Sequence, residues 1–248
     1  MRGFRPISLR LSRFSRVKNW SAIGKEFQEV YDKIGKGDKY FTILLRSLIP
    51  EVERHVSSGS ALLDLGCGPG YLSRTLSSKG YKVYACDVSR DLISIAKQLS
   101  PTDKIHYFIY DIEKKGAMRI PQVNCVILNM VIMYLKDIRP AIETIYNVLK
   151  PGGYVFVTLP HPCYFLKESH RWFENDEKSI LLYNYFERNQ FPITFGNKIT
   201  VMHYHKTLSS YIQSFLRRGF NLVDILEIQG SDKKPSRIPF YLLLCLRK

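Results

Sequence analysis

Long apolar runs are scarce in this 248-residue sequence. The stretch Phe240 to Leu246 near its C-terminus falls well short of the ~20 residues a helix needs to cross a bilayer, and reads as a buried strand. Cysteine is sparse and scattered: the five, at positions 67, 86, 125, 163 and 245, include no C-x-x-C pair. That spacing indicates neither a disulfide framework nor a zinc site, and points to a reduced, intracellular protein without a metal. Acidic residues are in deficit, 22 against 37 lysines and arginines, for a net charge of +15. Such an excess commonly signals nucleic acid or an anionic surface. Here six of the fifteen charges sit in an acid-free tail, on Arg2, Arg5, Arg10, Arg13, Arg16 and Lys18, and the remainder is dispersed. A secretory apolar segment is also missing. Phe4, Ile7, Leu11 and Phe14 fall at helical spacing among arginines and serines, so residues 1–18 read as a basic N-terminal tail of a cytoplasmic protein, with an organelle transit peptide as the alternative.

What is present is ample core material: 45% of the residues are hydrophobic, enough for one α/β domain with an insertion. Residues 19–57 carry apolar positions at helical spacing and predict two leading helices, separated by Gly35 and Gly37, with Pro50 able to kink the second. The stretch Ala-Leu-Leu-Asp-Leu-Gly-Cys-Gly-Pro-Gly at 61–70 follows: a short buried strand, a glycine turn, then helical spacing from Tyr71 to Lys79. Glycine there permits positive φ and lets a ligand approach the backbone, while the unpaired amides of the next helix face the same place. The dinucleotide pattern fails, because it needs a third glycine three places after the second and neither Tyr71 nor Ser73 supplies one. Asp64, two residues before the first glycine, would repel a pyrophosphate and attract a cation.

Further strand-like runs end in polar tips. Lys82 to Asp87 stops at a carboxylate 21 residues past Gly66, the spacing at which doubly wound folds place a ribose-binding acid. Asp87 would also serve as an N-cap for the helix from Ser89 to Leu99. Ile105 to Tyr110 stops at Asp111, and Val123 to Leu128 runs into Asn129. A helix from Ile138 to Leu149 meets the stop signal Lys150-Pro151-Gly152-Gly153, after which Tyr154 to Leu159 is a fifth strand. Thr207 to Gly219 reads as a helix, with Phe220 to Ile228 and Pro239 to Leu246 as the last two strands.

With Asp64, the G-x-G-x-G at 66–70, Asp87 and the Asp111-Ile112 pair in this order, the chain from about residue 61 to 160 resembles the class I S-adenosylmethionine-dependent methyltransferases. The resemblance implies a Rossmann-like, doubly wound, seven-stranded, mostly parallel α/β sheet with an antiparallel last strand, occupying residues 19–248. It implies S-adenosyl-L-methionine as cofactor, held by Asp64, Gly66, Cys67, Gly68, Gly70, Asp87 and Val88, with Asp111 and Ile112 on the adenine, Asn129 in a loop facing the sulfonium, and Tyr31 closing over the methionine end. Trp20 could join Tyr31. Asn129 is followed by Met130 where base-methylating enzymes of this fold carry two prolines and an aromatic, which counts against a nucleic-acid base as acceptor.

Residues 160–206 exceed what the fold needs, and their ten aromatic rings, Tyr164, Phe165, Trp172, Phe173, Tyr183, Tyr185, Phe186, Phe191, Phe195 and Tyr204, predict an acceptor lid with two to four rings on a pocket. Within it, Ile180–Glu187 and Lys198–His205 are the segments expected to pair as a hairpin. His161 and His205 stand where small-molecule methyltransferases of this kind carry active-site histidines, and are the candidate catalytic bases. Cys163 lacks the companion motifs of a cysteine nucleophile. The expected activity is methyl transfer to nitrogen or oxygen of a small molecule or peptide terminus. An RNA methyltransferase using the basic surface, and a cofactor-binding assembly factor without turnover, are the alternatives. The sequence does not choose between nitrogen and oxygen.

Overall fold

The computed structural model describes residues 19–24, 39–100, 104–114, 117–163, 174–175, 179–180, 185–187, 190–195, 199–229 and 239–248. After a single helical turn at Trp20–Ala22, the elements are α1 (Lys39–His55), β1 (Ala61–Leu65), α2 (Tyr71–Ser78), β2 (Lys82–Asp87), α3 (Arg90–Gln98), β3 (Ile105–Ile109) and β4 (Val123–Asn129). A second single turn at Ile132–Tyr134 precedes α4 (Arg139–Val148), β5 (Leu149–Pro160), the short β6 (Glu174–Asn175) and β7 (Ser179–Ile180), then β8 (Gln190–Phe195), β9 (Ile199–Tyr204), α5 (Leu208–Arg218), β10 (Asn221–Gln229) and β11 (Pro239–Arg247).

Seven strands form one sheet in the order β10-β11-β5-β4-β1-β2-β3. The neighbours from β5 to β3 pair in parallel, while β11 pairs antiparallel with both β5 and β10. Strands β1, β4 and β11 are almost wholly buried, whereas the edge strands β3 and β10 alternate or lie largely exposed, as a sheet covered on both faces requires. On one face Leu63, Leu65 and Leu128 pack against α4 and α5 through Ile142, Ile145, Tyr211 and Phe215. On the other, Leu62, Ile127 and Phe156 meet α1, α2 and α3 through Leu48, Val52, Leu76 and Ile93.

The local signals behave as their chemistry requires. Ser89 caps α3, its hydroxyl accepting from the Leu92 amide at 3.2 Å, so the cap is Ser89 while Asp87 stays free for other partners. Thr207 caps α5 in the same way, and Gly219 ends it in the left-handed conformation at φ 102°. Helix α1 passes through Pro50 unbroken. Lys150 to Gly153 does not stop before the fifth strand: β5 begins at Leu149, and its register against β4 jumps between Val123 and Cys125, so these four residues bulge out of the ladder with Gly152 at φ 74°.

The hairpin of the insertion pairs β8 with β9, Phe195 opposite Ile199. The second of its expected strands is right and the first is wrong: residues 190–195 take the place expected for 180–187. Only residues 196–198 separate β8 from β9, and so short a connection closes at lower cost than the longer one that a 180–187 partner demands. Ser179–Ile180 pairs instead with Glu174–Asn175.

Candidate functional site

The order of the sheet reverses between β1 and β4, and at that switch point the carboxyl ends of the strands open into a cavity of about 410 Å³, within the size range of ligand sites and in the place where doubly wound folds bind them. It has two halves. The half over β1, β2 and β3 is acidic, with Asp64, Asp87, Asp111 and Glu113 on its wall; the half over β4, β5 and β11 is aromatic.

The glycine turn builds the acidic half. Gly66 and Cys67 both donate to the Cys86 carbonyl, at 2.8 and 2.9 Å, tying the turn to β2. Gly68, at φ 53°, has nothing within 4 Å of where a Cβ would stand; its backbone is bare toward the cavity. Asp64, only 1% exposed, accepts from the Ser73 hydroxyl of α2 at 2.6 Å. Burial, opposed by that bond and aided by nearby Asp87, raises its carboxyl to about 7. Asp87 accepts from the Gly68 amide and the Ser89 amide, both at 2.9 Å, and burial raises it too. Neither acid has a lysine, arginine or histidine ion pair among the described residues. A buried carboxylate and a half-buried one beside it, with no counter-ion, are costly, and a cationic ligand removes that cost. The acids and the bare Gly68 backbone therefore fit the positively charged S-adenosylmethionine. Val88, Ile112 and Asn129 also line the cavity, and the Thr158 hydroxyl donates to Asn129 Oδ1 at 2.6 Å, which fixes the amide at the end of β4. Asp111 accepts from the Glu113 amide at 3.1 Å and faces Lys114 at 3.4 Å.

Gly70 departs from expectation. It does not line the cavity; it starts α2 at φ 77°, and a Cβ there would stand 2.5 Å from the Tyr107 hydroxyl. The position demands glycine for close packing on β3. Tyr31 lies outside the described residues, and it is Trp20, on the first single turn, that reaches the wall.

The candidate bases are elsewhere. Neither His161 nor His205 is among the residues lining the cavity. His161 is 4% exposed, with Nδ1 2.7 Å from Cys163 Sγ and Nε2 3.0 Å from Glu227 on the edge strand β10; burial lowers it, against the pull of Glu227. His205 is equally buried, its Nε2 2.8 Å from the Tyr185 carbonyl. His203 stacks on Phe191 and stands edge-on behind Tyr134; burial lowers it to about 3. Strand alternation puts 203 and 205 on one face, and that face is the packed one. No cluster of histidine, cysteine or carboxylate among the described residues could hold a metal.

Of the insertion's ten rings, Phe195 lines the cavity; Tyr185, Phe186, Phe191 and Tyr204 do not, and Tyr164, Phe165, Trp172, Phe173 and Tyr183 lie outside the described residues. Tyr110 after β3 and Tyr134, in the loop after β4 that the resemblance placed at the sulfonium, also line it, and two further rings come from a place the sequence did not mark, Phe240 and Tyr241 at the start of β11. A strand-like apolar run carries no signal that its first residues open on a ligand. Trp20 and Tyr134 meet at 4.8 Å between ring centroids, and Phe195 is edge-on to Tyr134 at 6.5 Å.

The sheet order, the acid-tipped strands and the glycine turn together define the class I S-adenosylmethionine-dependent methyltransferase fold. Residues 63–157 match the methyltransferase domain family, so the resemblance drawn from residues 61–160 holds. Over 102 residues the chain is 33% identical to a malonyl-[acyl-carrier protein] O-methyltransferase of Serratia marcescens, covering 41% of this chain and 39% of that protein. It is 26% identical over 155 residues to the mitochondrial ubiquinone biosynthesis O-methyltransferase of Mus musculus, covering 57% and 42%. The match thus spans about two fifths of the length of these curated relatives. The crystal structure of an S-adenosylmethionine-dependent methyltransferase from Mesorhizobium loti superposes with a TM-score of 0.66 at 20% identity, covering 80% of this chain and 96% of that one.

Proposed function

We propose that this chain is an S-adenosylmethionine-dependent methyltransferase acting on nitrogen or oxygen of a small molecule or peptide terminus. The observation that carries the reading is the pair Asp64 and Asp87: a buried and a half-buried acid without a basic partner among the described residues, facing one cavity in a protein of net charge +15. When bound, the cofactor supplies a methyl group on a sulfonium, activated for direct displacement. Asp64, near the bare Gly68 backbone, holds the cationic methionine end; Asp87 accepts from the ribose hydroxyls; Asp111 and Ile112 take the adenine edge and face. Asn129, fixed by Thr158, stands between the two halves. Displacement needs the acceptor lone pair in line with the bond that breaks, so the work left to the protein is orientation and exclusion of water. The aromatic half performs both, and the 160–206 insertion contributes through Phe195.

The test is transfer of labelled methyl from S-adenosylmethionine into a fractionated extract of the source cells. A small labelled product supports the proposal. Label in RNA alone would move the acceptor to nucleic acid, with affinity falling steeply with salt. Binding of S-adenosylhomocysteine with no labelled product would leave a cofactor-binding factor without turnover.

A further inference from the structure

Resting on that reading, the aromatic half of the cavity narrows the acceptor. Its wall is built by Trp20, Tyr134, Leu135, Pro160, Phe195 and the Phe240–Tyr241 pair, the last two rings 4.8 Å apart and edge-on. No lysine, arginine or histidine lines any part of the cavity among the described residues, and its four acids all sit on the β1–β3 side. Two consequences follow. An acceptor bearing a carboxylate or phosphate at the reacting end would meet acids and no compensating cation. A hydroxyl acceptor among the rings would find no histidine or lysine to take its proton, with the carboxylates standing on the opposite half, and burial raises the Tyr134 phenol, keeping it neutral and non-basic at ordinary pH.

We infer that the acceptor is an uncharged amine nitrogen, which becomes an alkylammonium held among Trp20, Tyr134, Phe195, Phe240 and Tyr241. The nitrogen lone pair forms the new N–C bond as the S–C bond breaks, the bonding pair stays on sulfur, and sulfur becomes a neutral thioether. One positive charge therefore crosses from the acidic half to the aromatic half. The negative faces of the rings stabilise it there, an attraction that grows when water is excluded. An N–H proton on the product is lost to solvent after release, so no base inside the site is needed.

The test is calorimetric and independent of turnover. The full chain is saturated with S-adenosylhomocysteine, which fills the cofactor half, and titrated with choline and with its uncharged isostere 3,3-dimethylbutan-1-ol. Choline is expected to bind about tenfold more tightly than the isostere. Tyr134→Leu and Trp20→Leu should remove that preference, and Tyr134→Phe, which keeps the ring, should retain it. Equal affinities, or a preference for the alcohol, would overturn the amine assignment and leave the cofactor reading standing. Failure of S-adenosylhomocysteine to bind would instead overturn the cofactor reading and this inference with it.

Discussion

At the scale of single residues, Asp87 shows how one side chain serves turn and ligand together. Each of its oxygens already accepts a backbone amide, from Gly68 and from Ser89, and a carboxylate has lone pairs left for ribose hydroxyls. Asp87→Ala is expected to weaken S-adenosylhomocysteine binding by about 1–3 kcal/mol, read by titration calorimetry; unchanged affinity would remove the ribose assignment. Both carboxylates were legible in the sequence, because an acid at the end of a buried strand beside a glycine turn has few other uses. The histidines were not. His161 and His205 stand in suggestive local contexts, but whether an imidazole faces a cavity or a packed layer depends on neighbours remote in the chain, here Glu227 and the Tyr185 carbonyl.

At the scale of elements, the glycine turn is where sequence pattern and geometry agree in form and differ in reason. Gly66 and Gly68 border the cavity, whereas Gly70 allows α2 to begin against Tyr107 and Ala96. Gly70→Ala combines a left-handed backbone with a steric clash, and is expected to cost about 1–3 kcal/mol in urea unfolding. Its effect on cofactor affinity should be smaller than that of Asp87→Ala, since Gly70 lies off the wall. Met130 marks the other side of the switch point: it alone among the described non-glycine residues has a positive φ, 61°, immediately after β4 and on the cavity wall. Backbone held in that region is concentrated at functional sites, and nothing in the run Asn129-Met130-Val131 announces it.

At the scale of the whole molecule, a basic protein carries a cavity with one acidic half, and folding buries Asp64 at its floor to 1% exposure. Asp64 in the folded state is raised from 3.8 to about 7; in the unfolded chain it titrates near its ordinary value. The folded protein without ligand therefore bears a penalty that is absent below pH ~4, grows as pH rises toward 7, and is constant above. His203, lowered to about 3, gives the opposite slope, costing the folded state stability as pH falls below its unfolded value near 6.5 and nothing above it, so the total pH dependence mixes the two. The difference between Asp64→Asn and the unaltered protein isolates the acid. The variant, which keeps an acceptor for Ser73, should be no more stable at pH 4 and about 2–4 kcal/mol more stable at pH 8, measured by denaturant titration across that range. Its affinity for cationic S-adenosylmethionine should fall over the same range, so stability and binding move in opposite directions.

The sequence by itself determined the succession of strands and helices, the glycine turn and the aspartates of the acidic half of the site. These rest on short-range chemistry: a strand's apolar run, a cap, a turn glycine and a carboxylate at a fixed spacing lie within a few residues of one another. Only the tertiary structure decided the aromatic half, the hairpin's true partner and the burial of the histidines. Trp20, Tyr134, Phe195 and Tyr241 are spread over more than two hundred residues, and no local pattern records that β11 inserts antiparallel beside β5 and brings its first rings to face the turn after β4. Long-range packing made that choice, because burying both faces of the sheet fixes which strand ends converge.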